Sequence, residues 1–153
     1  MAALAAPRPF GILLVEDDLA DAMLIEEALL DRGAARSISR ASDGVAALER
    51  LRDPALPRPD LIVLDLNMPR MGGGELLDVL KRDDELKVIP VVVLTTSNAP
   101  DDVSRAYRSH SNAYITKPVN LDDFIHAVRG IDAFFLDTAT LPSGHGLCVP
   151  PLP

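Results

Sequence analysis

The chain has 153 residues, 48% of them apolar and 25% charged, which is the composition of an ordinary globular protein with one core. Its formal net charge of −8 excludes the basic footprint of a sequence-independent DNA or RNA binder. A lone cysteine, Cys148, allows no internal disulfide, and the apolar runs fall far short of the ~20 residues a membrane span requires.

The amino-terminal stretch 1–8 is small-residue and apolar with no charged region ahead of it, so it reads as a disordered start rather than a signal peptide. A cytoplasmic protein is therefore expected. From Phe10 onward, short β-rich runs alternate with longer helical patterns, five of each, and this rhythm predicts a parallel sheet with crossover helices. Residues 10–15, 61–64 and 89–94 are continuous apolar runs, as expected of strands covered on both faces. Residues 36–40 alternate polar and apolar, and 113–115 are few, so these two strands are expected nearer the edges. Pro90 stands at the start of the fourth strand, where a missing N–H is tolerated.

The helices fall between them. Residues 18–31 read as a helix closed by Gly33, and 44–52 as a short helix capped by Asp43. Residues 74–82 and 100–109 are the third and fourth; Pro100 followed by Asp101 and Asp102 is a strong start, because proline loses no needed donor there and acids complement the dipole. The fifth is the most periodic, with Leu121, Phe124, Ile125, Val128, Ile131 and Phe135 on one face. Gly130 interrupts it at a cost of about 1 kcal/mol, which predicts a bend or separate packing beyond it. Residues 53–59 form a proline-rich loop, and 141–153 a tail without regular structure.

In open parallel sheets, chemistry gathers at the carboxyl ends of the strands. After the first strand come Glu16, Asp17 and Asp18; the third ends in Asp65; the fourth leads to Thr95 and the fifth to Lys117 and Pro118. A strand order of 2-1-3-4-5 makes these four loaded ends neighbours, about 4.8 Å apart. Asp18 is in position to be a helix cap. Glu16, Asp17 and Asp65 together are costly without a cation, and Mg²⁺, which takes hard oxygen ligands, fits them. A carboxylate nucleophile, a divalent cation, a lysine and a hydroxyl are the recurrent parts of phosphoryl transfer. Asp65 would become an acyl phosphate, whose added charge and acceptors Thr95 and Lys117 can meet, giving a switch.

These pieces, Ile12-Leu-Leu-Val-Glu-Asp-Asp18, Leu61-Ile-Val-Leu-Asp-Leu-Asn-Met-Pro69, Val91-Val-Val-Leu-Thr-Thr96 and Tyr114-Ile-Thr-Lys-Pro118, resemble the receiver domain of two-component response regulators. The resemblance implies a flavodoxin-like α/β fold, a doubly wound (βα)5 sheet of order 2-1-3-4-5, spanning residues 9–136. It implies Asp65 as phosphoacceptor, Glu16 and Asp17 as the acidic pair holding Mg²⁺, and the Asn67 backbone carbonyl as a further ligand. Thr95 and Tyr114 would be the switch pair, Lys117 a phosphoryl contact, and the Lys117-Pro118 bond cis. Such a protein is a signalling phosphoacceptor, served by a sensor histidine kinase, and acts as an enzyme only on its own phosphorylation and dephosphorylation. Gly72 departs from the pattern, since many relatives carry Asp there, and altered loop flexibility is expected.

Glu16-Asp-Asp-Leu-Ala-Asp21, Leu94-Thr-Thr-Ser97 and the late segment 130–142 resemble, more narrowly, single-domain regulators paired with phytochrome-type histidine kinases. That likeness implies no output domain, a carboxyl-terminal extension over 137–153, and a homodimer using Ile131, Phe134, Phe135 and Leu136. An apolar cluster of this kind on a lone helix would otherwise be an exposed patch. A haloacid-dehalogenase-type hydrolase would need a second aspartate where Asn67 stands. A nucleotide-binding sheet would need a glycine fingerprint that Gly72-Gly-Gly74 does not provide. A metal site on His145 and Cys148 would lack further ligands.

Overall fold

The computed structural model describes residues 9–30 and 36–142. Five strands, β1 (Phe10–Val15), β2 (Arg36–Ala41), β3 (Leu61–Leu64), β4 (Val91–Thr95) and β5 (Ala113–Thr116), form one parallel sheet of order β2-β1-β3-β4-β5. The helices between them are α1 (Leu19–Leu30), α2 (Gly44–Leu51), α3 (Gly73–Arg82), α4 (Pro100–Arg108) and α5 (Leu121–Asp132), the last running into a π-helical turn over Ala133–Thr138. The doubly wound order expected from the sequence is the one observed.

Successive side chains on a strand point to opposite faces, and the core divides accordingly. Leu13, Val15, Ile62, Leu64, Val91 and Val93 pack with α2, α3 and Ala106 of α4. Ile12, Leu14, Leu61, Val63, Val92 and Leu94 pack with α1 and α5. The central strands β3 and β4 are buried at every position, which is why they read as unbroken apolar runs.

Local chemistry sets the helix ends. Asp43 accepts the Ala46 N–H at 2.8 Å and caps α2, and Asn120 accepts the N–H groups of Asp122 and Asp123 at the start of α5. Asp18 Oδ1 accepts the Asp21 N–H at 3.0 Å, so Asp18 has the capping role anticipated for it. Gly72 precedes α3 with no side-chain cap, the position where an aspartate would supply one. Ile89 and Pro90 lie outside β4, since the ladder opens at Val91, and α3 begins at Gly73, one residue earlier than the sequence pattern suggests. Gly33, the amino-terminal stretch 1–8 and the tail from 143, with His145 and Cys148, lie outside the described residues.

The late segment departs most from expectation. α5 passes straight through Gly130 to Asp132, and the π-helical turn follows. Ile131 and Phe135, expected at a dimer interface, are instead buried in the α1/α5 core of their own domain at 5% and 8% exposure. Apolar packing against α1 covers them, and an ion pair accompanies it: Arg36 Nε and Nη2 meet the two Asp132 oxygens at 2.7 and 2.9 Å, tying the end of α5 to β2. Asp132 is fully buried there. Phe134 remains 54% exposed, edge-on to the Phe135 ring, while the Leu136 side chain lies outside the described set.

Candidate functional site

Strand register assembles the site. Val15 of β1 pairs with Leu64 of β3, so the next residues, Glu16 and Asp65, emerge side by side. Thr95 of β4 pairs with Thr116 of β5, which puts Lys117 one step beyond; its N–H donates to the Thr95 carbonyl at 2.7 Å. Pleat parity sends Glu16, Asp65 and Lys117 toward the α1 side. Thr95 and Tyr114 follow the parity of Val93 toward the opposite face.

Glu16 and Asp65 are buried and Asp17 is exposed, and each offers an oxygen such that all three lie within 4.8 Å of one another. Three hard, anionic oxygen donors at this spacing suit a small divalent cation that retains several waters. The loop carrying the acids is held from β2, where Arg40 donates from Nε to the Glu16 carbonyl and from Nη2 to that of Asp17. The Asn67 N–H donates to Asp65 Oδ1 at 3.2 Å, fixing the carboxylate from its own loop.

Lys117 is buried among carboxylates. Its Nζ lies 2.8 Å from Asp21 Oδ2, 3.1 Å from Glu16 Oε2 and 3.2 Å from Asp65 Oδ2. Burial works against the ammonium, but the hydrogen bond to Asp21 and the charges of Asp65 and Glu16 outweigh it and hold the lysine above its ordinary pKa. Burial, the hydrogen bond with Asp65 and the Asp65 charge push Glu16 up to about 8, Lys117 offsetting part of the rise. Burial also acts to raise Asp65, yet the hydrogen bond from Glu16 and the Lys117 charge more than compensate and leave it below the usual carboxylate range. Of the two carboxylates, therefore, Glu16 is the one that holds a proton more readily.

The Thr95 hydroxyl is buried at 0% exposure and finds no hydrogen-bond partner among the described residues, yet it lies near enough to Asp65 to help lower that carboxylate's pKa. A buried unpaired hydroxyl is costly, and its retention beside Asp65 fits a site whose missing acceptor is supplied by a bound group. Tyr114 is half-buried against the α2–α4 side, and its hydroxyl donates to the Ser97 carbonyl at 2.7 Å. Burial pushes this phenol up.

The Lys117-Pro118 bond, expected to be cis, is trans, as are all the described peptide bonds. A tertiary amide leaves trans favoured by about 0.5–1 kcal/mol, and the motif alone does not reverse that. Sequence reasoning also missed three residues that build the site. Asp21 was legible only as part of the Glu16–Asp21 stretch, and Arg40 only as a polar position of an edge strand. Arg70 adopts a left-handed φ of 62° and forms a two-pronged ion pair with Asp43, at 2.7 and 3.0 Å. It thereby clamps the loop after β3 to the start of α2. The same loop needs glycine at 73, where a Cβ would sit 2.1 Å from the Asp65 carbonyl oxygen.

The family model for the response regulator receiver domain matches residues 12–129. Response regulator Rcp1 of Synechocystis sp. is 45% identical over 139 residues, covering 88% of this chain and 95% of that protein. The probable methanogenesis regulatory protein FilR2 of Methanothrix harundinacea is 44% identical over 138 residues, covering 87% and 88%. Among solved structures, the phosphorylated cyanobacterial phytochrome response regulator RcpA superposes with a TM-score of 0.86 at 46% identity, covering 89% of this chain and all of that one. The Mn²⁺-bound form of Rcp1 does so with a TM-score of 0.85 at 45% identity, covering 88% of this chain and all of that one.

Proposed function

The chain belongs to the response regulator receiver domain family, and from that premise we propose that it takes a phosphoryl group from a histidine kinase onto Asp65, with Mg²⁺ held by Glu16, Asp17, Asp65 and the Asn67 carbonyl. The observation that carries this reading is the burial of Asp65 against Glu16 and Lys117, beside the unpaired Thr95 hydroxyl. The cation would neutralise developing charge on the phosphoryl oxygens. Lys117 donates to those oxygens, and the Thr95 hydroxyl gains in them the acceptor it lacks. Movement of Thr95 toward the phosphoryl group vacates space beside Tyr114, which makes these two residues the switch pair. Asparagine at 67 cannot exchange protons as the acid/base of a dehalogenase-type hydrolase does, and the family assignment favours signalling over that chemistry.

Incubation with acetyl phosphate and Mg²⁺ tests the assignment by intact mass. The wild type is expected to gain one phosphoryl group and Asp65→Asn none; undiminished labelling of Asp65→Asn would move the acceptor elsewhere. For the donor, we infer a phytochrome-type kinase, supported by the phytochrome response regulator RcpA among its structural neighbours. Phosphotransfer profiling against the histidine kinases of the same organism is expected to show fastest transfer from a kinase of that type. Cytoplasmic residence goes with this proposal, because such a donor draws on intracellular ATP. A homodimer is likewise proposed, with Phe134 as its apolar contact now that Ile131 and Phe135 are committed to the core.

A further inference from the structure

The shortest contact made by Lys117 is to a carboxylate outside the cation cluster. Asp21 Oδ2 stands 2.8 Å from Nζ, closer than either Glu16 or Asp65, yet it is not among the acids that converge to hold a metal. It projects from the first turn of α1, a turn fixed by the Asp18 cap. Its position is therefore set by the helix and is independent of the cation.

The other two partners of Lys117 change when the site is loaded. A divalent cation held by Glu16 and Asp65 would compete with the lysine for their charge and weaken their pull on it. Phosphorylation then turns the Asp65 carboxylate into a mixed anhydride without its own negative charge. In that step an Asp65 oxygen attacks phosphorus, the P–O bond of acetyl phosphate breaks, and acetate leaves with the electron pair. Asp21 takes no part in the exchange of bonds. An ammonium group has three protons and a flexible four-carbon stem, so it needs one partner that persists if the other protons are to stay aimed at the phosphoryl oxygens.

We propose that Asp21 is a positioning residue that tethers Lys117 from α1 throughout the cycle, keeping its remaining N–H bonds directed at the phosphoryl site. The proposal rests on Asp65 being the phosphoacceptor.

The test is a double-mutant cycle on the whole chain, comparing wild type, Asp21→Ala, Lys117→Ala and the double variant by labelling rate with acetyl phosphate in saturating Mg²⁺. Asp21→Ala is expected to slow labelling about tenfold, the order of one charge-assisted hydrogen bond, and to add nothing when Lys117 is already absent. Equal slowing in both backgrounds, or none in either, overturns the tether. A second readout is independent of labelling: the Lys117 ammonium signal in ¹H–¹⁵N NMR at low temperature. It is expected to stay protected from solvent exchange when Mg²⁺ is added to the wild type and to be lost in Asp21→Ala; loss in the wild type on adding Mg²⁺ overturns the proposal. If wild type and Asp65→Asn label alike, the phosphoacceptor assignment has failed, while the NMR comparison still reports on the tether.

Discussion

Glu16 and Asp65 share one environment and one hydrogen bond, and burial with like-charge repulsion puts their proton on Glu16. A cation must displace it. Mg²⁺ affinity is therefore expected to rise between about pH 6 and pH 9 as the Glu16 proton is lost, and to flatten in Glu16→Gln; calorimetric titration at several pH values measures this. The sign for stability is opposite. Glu16 carries its proton in the folded state at a pH where the unfolded chain has released it, so the metal-free protein binds more protons folded than unfolded. Its melting temperature should fall as pH rises from the ordinary glutamate range toward about 8, and Mg²⁺ should remove most of the fall. Asp65 works the other way, since its lowered pKa contributes stability above the usual aspartate range that is lost only on acidification. The two effects thus fall in different pH windows.

At the scale of elements, two glycines have opposite meanings. Gly130 lies within α5 with open space where a Cβ would go, so Gly130→Ala should stabilise by about 1 kcal/mol, or roughly 2–4 °C in Tm for a domain of this size, measured by thermal unfolding. Gly73 meets the backbone of Asp65. A methyl group there must push Asp65 or α3 aside, and Gly73→Ala is expected to cost about 1–3 kcal/mol and to lower labelling as well. The loop between β3 and α3 is further held by the Arg70–Asp43 pair and by the Gly44 N–H, which donates to the Met71 carbonyl at 3.0 Å. An ion pair and a backbone hydrogen bond thus fix the segment that presents Asp65 and Asn67, while α4 buries only Ala106.

At the scale of the molecule, the Arg36–Asp132 pair joins residues 96 positions apart and ties the end of α5 to β2. Both side chains are almost wholly buried, so removing Asp132 strips the Arg36 guanidinium of the carboxylate that it pairs with. Asp132→Ala should destabilise by about 3–5 kcal/mol in denaturant unfolding, whereas replacing both partners with apolar residues of similar volume should cost much less. Assembly is a separate matter. Phe134→Ala is expected to lower the mass seen in sedimentation without a comparable loss of stability, because its ring is half exposed. An unchanged mass would remove Phe134 from the proposed interface.

Local pattern in the sequence carried the fold class and the candidate groups of the site, while the strand order came with the family resemblance. Short, β-branched apolar runs alternating with helical patterns fit strands covered on both faces, and acids or a lysine directly after such strands emerge at one end of a parallel sheet. That is why Glu16, Asp65, Thr95 and Lys117 were legible from local pattern alone. Tertiary structure decided what depends on partners distant in the chain. Asp21 is a surface acid of α1 until β5 brings Lys117 over it, and Arg70 is a loop cation until α2 offers Asp43. Ile131 and Phe135 read from the sequence as a dimer interface, because periodicity identifies an apolar face without saying what covers it. Apolar packing against α1 settled that question, accompanied by Asp132 buried against Arg36, an interaction that no local pattern encodes.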